Sequence, residues 1–293
     1  MALKIEVTKD SSFCPGVDRA FRITEETMSE SGNPTYSVGP LIHNPEVVSR
    51  LSVLGLKAID LECGELPDLQ GASVIIRSHG IDTATEKKLL GLGSVLVDAT
   101  CPTVKRAQEA ARRLVDEGCT VLVLGSATHP EVRSIVGRAA GPVTVLESPE
   151  DARRWAESEG EGARRVGVVC QTTISRDLLD SVAAVLAEHL PELVIKDTIC
   201  EAVLRRQAEA IELAKRVDLM LVVGGRDSSN TARLAEICEQ TGVATRLIED
   251  PSELVPGWLE GMESVGVTGG ASTPSWLIEE TVARLEEMAA GQA

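Results

Sequence analysis

The chain has 293 residues and a formal net charge of −16 at pH 7, because its 45 Asp and Glu residues outnumber its 29 Lys and Arg residues. Nucleic-acid-binding and membrane-surface proteins usually present a basic face, so this acidic balance argues against both classes. Hydrophobic residues make up 43% of the chain, which excludes a disordered protein, whereas aromatic residues make up only 2%. Ala, Val, Leu and Ile must therefore fill the core, as they do in parallel sheets covered by helices.

The N-terminal segment MALKIEVTKD has no basic region followed by an apolar stretch, so it does not resemble a signal peptide. No segment approaches the roughly 20 apolar residues of a membrane span. We therefore predict a cytoplasmic protein. The 7 cysteines show no disulfide-scaffold spacing, and in a reducing compartment we expect them to be reduced thiols, metal ligands or catalytic thiolates.

The first third of the chain alternates predicted strands with a helical pattern. A strand in LKIEVTKDSSF is followed by Cys14 and by the helical run VDRAFRITEETM. The next strand ends at Gly39, and His43 follows it. A further strand, VIIRSHG, ends close to His79. Polar residues therefore come after the predicted strands.

The same order of elements occurs twice more. The strands SVLVDAT and ELVIKDTI precede Cys101 and Cys200, and the helical runs VKRAQEAARRLVDE and VLRRQAEAIELAKR follow these cysteines. In both copies the next strand ends at glycine. The polar residues that follow the later strands are His129, Thr172, Ser228 and Ser272.

Three segments thus share the pattern Cys-x-x-Val-x-Arg, beginning at Cys14, Cys101 and Cys200, at intervals of 87 and 99 residues. This repeat predicts three pseudo-equivalent α/β units with parallel sheets and right-handed crossovers. Ligands bind at the carboxyl ends of such strands, where the polar residues lie. The three units can close around a pseudo-threefold axis with the cysteines at the centre, or form an array of independent sites. The predicted units are residues 1–96, 97–193 and 194–293.

The three repeated cysteines are candidate metal ligands. A cysteine at the start of a helix has its thiolate stabilised by the helix dipole and by the N–H groups of the first turn. Structural zinc sites usually use close CxxC pairs, and this chain has none. Three distant cysteines suit an iron–sulfur cluster with one iron left open, which can act as a Lewis acid. The remaining cysteines are predicted to be small buried hydrophobic residues: Cys63, Cys119, Cys170 and Cys238.

The polar residues after the strands suggest an anion site. Three of the 4 histidines follow strands and adjoin turn-forming residues. A Gly-Gly-x-x-Ser-Ser-Asn turn before a helix can present hydroxyls, an amide and N–H groups to an anion, although each serine alone is more typical of a helix cap. Together they predict a diphosphate pocket without local Lys or Arg. The candidates are His43, His79, His129, Ser228, Ser229, Asn230 and Ser272.

Glu131 follows His129 by two residues. Beside a cluster and a diphosphate, desolvation and like charge would raise the pKa of its carboxyl, so that it could donate a proton. The competing interpretation is an ordinary acid stabilised by the dipole of a helix N-terminus. Thr172, in CQTTIS, could relay that proton or hold a substrate hydroxyl.

These motifs resemble those of the 4-hydroxy-3-methylbut-2-enyl diphosphate reductase family, also called IspH or LytB. The matching segments run through nearly the whole chain: FCPGVDRA, YSVGPLIHNPEVV, RSHG, VDATCP, HPEV, QTT, DTIC with RRQ, DSSN with RL, and GVTGGAS. The resemblance implies an oxidoreductase with a cloverleaf of three α/β domains around a 4Fe–4S cluster. It also implies the last step of the methylerythritol phosphate route to isoprenoids.

The resemblance also implies a role for each matching residue. Cys14, Cys101 and Cys200 match the cluster ligands, and the polar residues named above match the diphosphate-binding set. Glu131 matches the proton-delivering acid, and Thr172 matches its hydroxyl-binding partner. The reaction would remove the C4 hydroxyl of the substrate with two electrons and two protons, giving isopentenyl and dimethylallyl diphosphate. A separate ferredoxin or flavodoxin is the expected electron donor.

The sequence departs from the family pattern in two places. Val203 stands three residues after the third cysteine, where the family commonly has Thr, and Ser12 precedes Phe13 where Gly is usual. Val203 keeps the shape but removes a hydroxyl, which could alter the product ratio or mark a paralogue acting on a related allylic diphosphate. Two competing functions stay open as hypotheses: a non-catalytic iron–sulfur electron carrier or redox sensor, and a zinc-containing or metal-free phosphate-binding protein.

Overall fold

The computed structural model describes residues 3–61 and 65–291. The strands are β1 (Lys4–Val7), β2 (Thr35–Val38), β3 (Lys57–Ile59), β4 (Ser73–Ile76), β5 (Val95–Asp98), β6 (Thr120–Leu124), β7 (Val143–Leu146), β8 (Val166–Cys170), β9 (Leu193–Lys196), β10 (Leu219–Val223), β11 (Ala244–Ile248) and β12 (Ser264–Gly269). The α-helices are α1 (Pro15–Glu30), α2 (Pro45–Val53), α3 (Thr83–Gly91), α4 (Pro102–Asp116), α5 (Pro130–Arg138), α6 (Pro149–Ser158), α7 (Arg176–His189), α8 (Glu201–Ala214), α9 (Ser229–Glu239) and α10 (Ser275–Gly291).

In the described residues the strands form three four-stranded sheets, and all neighbouring strands in these sheets are parallel, as the sequence predicted. The first sheet has the order β3-β2-β4-β5 and the second β7-β6-β8-β9. The third has the order β11-β10-β12-β1, so the first strand of the chain completes the last sheet. The boundaries at residues 1–96, 97–193 and 194–293 stay a prediction.

Each sheet contains one edge strand that the sequence analysis did not predict, namely β3, β7 and β11. The strand β3 has only 3 residues, two of them exposed, and every residue of β7 except the last is only partly buried. β3 and β7 were missed because 3 or 4 mostly unburied residues are too few to show a clear alternation of apolar and polar positions.

The strands β1, β5 and β9 lie at the opposite edges of their sheets, and each is followed by one of the repeated cysteines. The helix after the cysteine, α1, α4 or α8, then leads into the first strand of another sheet. Each repeated cysteine therefore lies in the connection between the carboxyl end of an edge strand and the start of a crossover helix.

The chain divides into two compact units. The first comprises the residues up to Phe21, Pro40–Leu56 and the residues from Glu201 onward, and it holds the third sheet. The second comprises Arg22–Gly39 and Lys57–Cys200, and it holds the first and second sheets.

Aliphatic side chains fill the cores of both units, as the low aromatic content predicted. In the second unit, Leu114 and Val121 are buried with Ile135 between α4, β6 and α5. In the first unit, Leu221 and Val267 are buried under α10.

None of the helices in the described part of the chain combines the length and the apolar composition that a membrane span requires.

The end of β12 packs closely against the segment before Cys14. A Cβ on Gly269 would lie 2.1 Å from the carbonyl oxygen of Ser11. We expect Gly269→Ala to lower the free energy of unfolding by about 1–3 kcal/mol, because the backbone must shift to accept the methyl group. Gly32→Ala, where a Cβ meets open space, is the matched control and should change stability by less than about 0.5 kcal/mol. Urea unfolding of both variants checks this, and equal midpoints would contradict the close packing at Gly269.

Candidate functional site

The three repeated cysteines occupy equivalent positions at helix starts. Each immediately precedes the first residue of its helix, and all three are half-buried. Cys101 is the N-cap residue of α4, and its thiol makes no capping hydrogen bond to the helix. Its sulfur therefore does not accept a hydrogen bond from the N–H groups of the first turn of α4.

One backbone hydrogen bond recurs at all three cysteines. In each case the cysteine N–H donates to the carbonyl of the second residue after the third strand of a sheet. The three bonds run from Cys14 to Ala271 (3.0 Å), from Cys101 to Ser78 (2.9 Å) and from Cys200 to Thr172 (2.9 Å). The polar residues predicted from the ends of these strands, His79, Thr172 and Ser272, lie at or directly after these carbonyls.

The other described cysteines differ in their surroundings. Cys119, Cys170 and Cys238 are buried, whereas the repeated cysteines are half-buried. Burial raises the pKa of the Cys170 thiol and of the Cys238 thiol to about 12, so both are protonated at neutral pH. These environments agree with the expectation of small buried hydrophobic residues. Cys63 lies outside the described residues.

Glu131 and Thr172 form a buried pair in the second unit. The Thr172 N–H donates to Glu131 Oε1 at 2.6 Å, and the Thr172 hydroxyl donates to Oε2 at 3.0 Å. Only 2% of the Glu131 surface is exposed. Burial raises the pKa of the Glu131 carboxyl to about 7, although both hydrogen bonds from Thr172 act in the opposite direction. This carboxyl can therefore hold or release a proton near neutral pH.

His129 is the N-cap of α5, and its Nδ1 accepts the N–H of Glu131 at 3.2 Å. The proton of the neutral imidazole is then on Nε2, which can donate a hydrogen bond. The ring of His79 meets the ring of His129 edge to face, with centroids 5.4 Å apart. The second unit thus brings together His79, His129, Glu131 and Thr172, all predicted as site residues.

The first unit brings together a second group of predicted residues. The Ser272 hydroxyl donates to the carbonyl of His43 at 3.1 Å, and a Cβ on Gly225 would lie 2.6 Å from the same oxygen. The loop of His43 therefore packs against the glycine turn after β10 and the loop after β12.

The serines before α9 also act as helix-end residues. The Ser228 side chain accepts the N–H of Thr231 at 3.4 Å and caps the helix. This matches the plainer interpretation of a serine in a turn, yet the hydroxyl proton of Ser228 stays available to a ligand. Ser229 is exposed at the first residue of α9, and Asn230 is buried.

Two residues near these loops were missed as site candidates. Asn44 is buried and caps α2, with its side chain accepting the N–H of Val47, so it occupies the capping position that His129 and Ser228 hold elsewhere. The signal was available, since Asn followed by Pro is typical of a helix start.

Arg206 is the second missed residue. It is 3% exposed and donates to the carbonyls of Gly269 and Ser12, each at 2.6 Å. Burial lowers the pKa of its guanidinium, while the nearby Cys14 raises it. The sequence shows Arg206 on an amphipathic helix, where an exposed arginine is the usual expectation. The buried Val203 lies on the same helix.

Comparison with known families identifies the chain. A family model described as LytB protein matches residues 5–286. The chain belongs to the LytB family. The resemblance inferred from the motifs is thereby confirmed, as is the prediction of an oxidoreductase.

Two curated relatives of this LytB-family chain share the name 4-hydroxy-3-methylbut-2-enyl diphosphate reductase. The protein from Geobacter sulfurreducens is 43% identical over 97% of this chain and 98% of its own length. The protein from Geobacter metallireducens is 42% identical over 98% of both chains.

Solved structures agree with the fold. The structure of an (E)-4-hydroxy-3-methyl-but-2-enyl diphosphate reductase, described as the terminal enzyme of the non-mevalonate pathway, has a TM-score of 0.73 and 38% identity, covering 98% of this chain and all of its own. The structure of an E-1-hydroxy-2-methyl-but-2-enyl-4-diphosphate reductase from Plasmodium falciparum has a TM-score of 0.86 at 24% identity, with 97% of this chain and 88% of that one covered, and it supports the fold alone.

The raised pKa of Glu131 predicts a pH dependence of stability. The folded state keeps the proton up to about pH 7, whereas the unfolded chain loses it near pH 4.5. The free energy of unfolding should therefore fall by roughly 3 kcal/mol between about pH 4.5 and pH 7 through this group alone. Urea unfolding of the native chain and of Glu131→Gln across this range measures the difference. A difference that does not change with pH would contradict the raised pKa.

Proposed function

We propose that this chain is a 4-hydroxy-3-methylbut-2-enyl diphosphate reductase that acts last in the methylerythritol phosphate route. The C4–O bond of the substrate breaks, two electrons and two protons are taken up, and water leaves with isopentenyl or dimethylallyl diphosphate as product. The observation that carries the proposal is the buried Glu131–Thr172 pair, a carboxyl with a pKa of about 7. The relatives that share this name match the chain over nearly its full length.

A 4Fe–4S cluster held by Cys14, Cys101 and Cys200 is the cofactor in this proposal. The donor set suits it, because three half-buried thiols occur at equivalent helix starts, each with its N–H bonded to an equivalent carbonyl. A structural zinc site would need a fourth protein ligand, whereas a cluster accepts three thiolates and keeps one open iron. When bound, the cluster supplies electrons and a Lewis acid for the substrate hydroxyl.

The acid step belongs to Glu131 in this proposal. A proton donor works best when its pKa lies near the working pH, because it then both holds the proton and releases it readily. The hydroxyl and N–H of Thr172 hold the two carboxylate oxygens in one orientation, so the proton is delivered from a fixed position. Thr172 can also turn its hydroxyl oxygen toward the substrate hydroxyl.

The diphosphate is bound by neutral hydrogen-bond donors in this proposal. With Nδ1 of His129 accepting from the helix, Nε2 presents an N–H to a phosphate oxygen. The helix start that His129 caps adds further N–H groups and the positive end of the helix dipole. The full proposed set is His43, His79, His129, Thr172, Ser228, Ser229, Asn230 and Ser272.

The electrons come from a separate ferredoxin or flavodoxin in this proposal, since the sequence has no GxGxxG nucleotide-binding turn after a strand.

A related allylic diphosphate is the second candidate substrate. The observation behind it is the buried Val203, which presents no hydroxyl where the family commonly has Thr.

An anaerobic assay with a chemical reductant tests the proposed function. The reconstituted protein should convert 4-hydroxy-3-methylbut-2-enyl diphosphate to the two isoprenoid diphosphates, and product analysis gives their ratio. Turnover of only a different allylic diphosphate would favour the paralogue. A protein that carries iron but reduces neither substrate would favour an electron carrier or redox sensor.

We expect Glu131→Gln to lower kcat about 100-fold or more, because the amide cannot donate the catalytic proton, while KM stays within about threefold. Glu150→Gln is the matched control, since Glu150 is also the second residue of a helix that begins with proline, and it is exposed. Steady-state kinetics of both variants measures the effect. Unchanged turnover in Glu131→Gln would remove Glu131 from the acid role.

We expect Cys101→Ser to lose most of its bound iron, because a serine oxygen is a poorer ligand for iron–sulfur clusters than a thiolate. Cys119→Ala, which changes a buried cysteine in the same unit, should keep the iron content of the native protein. Iron analysis and the thiolate-to-iron absorption near ~400 nm report the outcome. Equal iron in both variants would exclude Cys101 as a ligand.

A further inference from the structure

A buried chain of hydrogen bonds joins Gln108, Ser134 and His79 within the second unit. Gln108 Nε2 donates to Ser134 Oγ at 3.0 Å, and the Ser134 hydroxyl lies 2.7 Å from the carbonyl oxygen of His79. Ser134 is 1% exposed and Gln108 is 8% exposed. Breaking one of these bonds would leave a buried polar group without a hydrogen-bond partner, and this lowers the free energy of unfolding.

Each of the three residues belongs to a different segment of the proposed site. Gln108 lies on α4, the helix that begins directly after Cys101. Ser134 lies on α5, which carries Glu131 in its first turn and is capped by His129. The third residue, His79, lies in the loop after β4. The hydrogen bonds therefore connect these three segments through directional contacts, which apolar packing alone does not provide.

Two carbonyls converge on the Ser134 hydroxyl. It lies 2.7 Å from the oxygen of His79 and 2.8 Å from the oxygen of Glu131. The hydroxyl has one proton and shares it between these acceptors, while its oxygen accepts the amide proton of Gln108. One atom thus sets the distance between the backbone of a proposed diphosphate ligand and the backbone of the proposed acid.

The turn after His79 is shaped around the same pair. Gly80 has a φ of +73°, and its N–H closes the turn onto the Arg77 carbonyl at 2.9 Å. A Cβ on Gly80 would lie 2.5 Å from Gln108 Nε2 and 3.3 Å from Ser134 Oγ. The amide of Gln108 and the hydroxyl of Ser134 therefore pack directly against this turn, and removing either group changes what the turn packs against.

We propose that Ser134 and Gln108 are positioning residues that fix His79 relative to Glu131, and so fix the bound diphosphate relative to the proton donor. This proposal rests on the proposed function, because it takes His79 as a diphosphate ligand. Neither side chain needs to touch the substrate. Their effect passes through the backbone of His79, so their loss displaces a proposed diphosphate ligand and weakens substrate binding without altering the proposed proton donor.

The test compares Ser134→Ala, Gln108→Leu and the double variant in the anaerobic, cluster-containing protein. We expect each single variant to raise KM for the substrate about tenfold with kcat within about threefold, because His79 binds the diphosphate equally before and during the reaction. The Kd for inorganic diphosphate should rise by a similar factor. The double variant should be no worse than the more affected single variant, since both substitutions break one connected network.

Ser94→Ala is the matched control. Ser94 is a buried serine of the same unit, and its hydroxyl donates to the carbonyl of Leu89 at 2.9 Å. It should lose stability comparable to Ser134→Ala but keep the native KM and diphosphate affinity. Gln108→Leu keeps a side chain of similar size, so it still reports on the network if Ser134→Ala fails to fold.

Unchanged KM and diphosphate affinity in Ser134→Ala and Gln108→Leu would overturn the proposal and leave the network a purely structural one. Fully additive effects in the double variant would overturn it as well. A native protein that does not turn over the substrate would refute the proposed function instead. The inorganic diphosphate affinities would then still decide whether these residues position an anion site.

Discussion

The hydrogen bond from each repeated cysteine to a carbonyl beyond the third strand is the constraint on which the proposed site depends. It ties the start of a crossover helix to the loop at the end of a neighbouring strand, with lengths of 2.9–3.0 Å at all three positions. A backbone N–H at a helix start has no partner within its own helix, so it is available for this contact. The backbone alone makes this bond, so it does not use the thiol.

The sheet topology explains why the polar residues come after strands. In a parallel sheet all carboxyl ends lie on one edge, and the loops that leave them share that edge. The order of strands is the same in each sheet, with β1 supplied by the N-terminal segment for the third. The two loops that carry polar residues and the crossover that carries the cysteine therefore all leave each sheet at the carboxyl ends of its strands.

Environment rather than residue type sets the chemistry of the glutamates. Glu109, on α4, accepts hydrogen bonds from Arg112 and Arg113, and these bonds lower the pKa of its carboxyl to about 2. Glu131, buried and with its carboxyl bonded to Thr172, has its pKa raised to about 7. The two values have different causes, because the arginine hydrogen bonds stabilise the charged form of Glu109, whereas burial penalises the charged form of Glu131 more than its two hydrogen bonds stabilise it. A glutamate in the sequence carries no mark of which environment it will occupy.

The sequence by itself determined the three parallel α/β repeats, the cysteine before each crossover helix and the family, because these depend on local patterns that recur at a regular spacing. Only the tertiary structure decided that β1 joins the third sheet and that Asn44 takes the capping position beside His43. It also decided that Ser134 lies within hydrogen-bonding distance of both Gln108 and His79. Sheet membership and buried side-chain contacts depend on which segments pack together in space, and neither spacing nor composition along the chain records that packing.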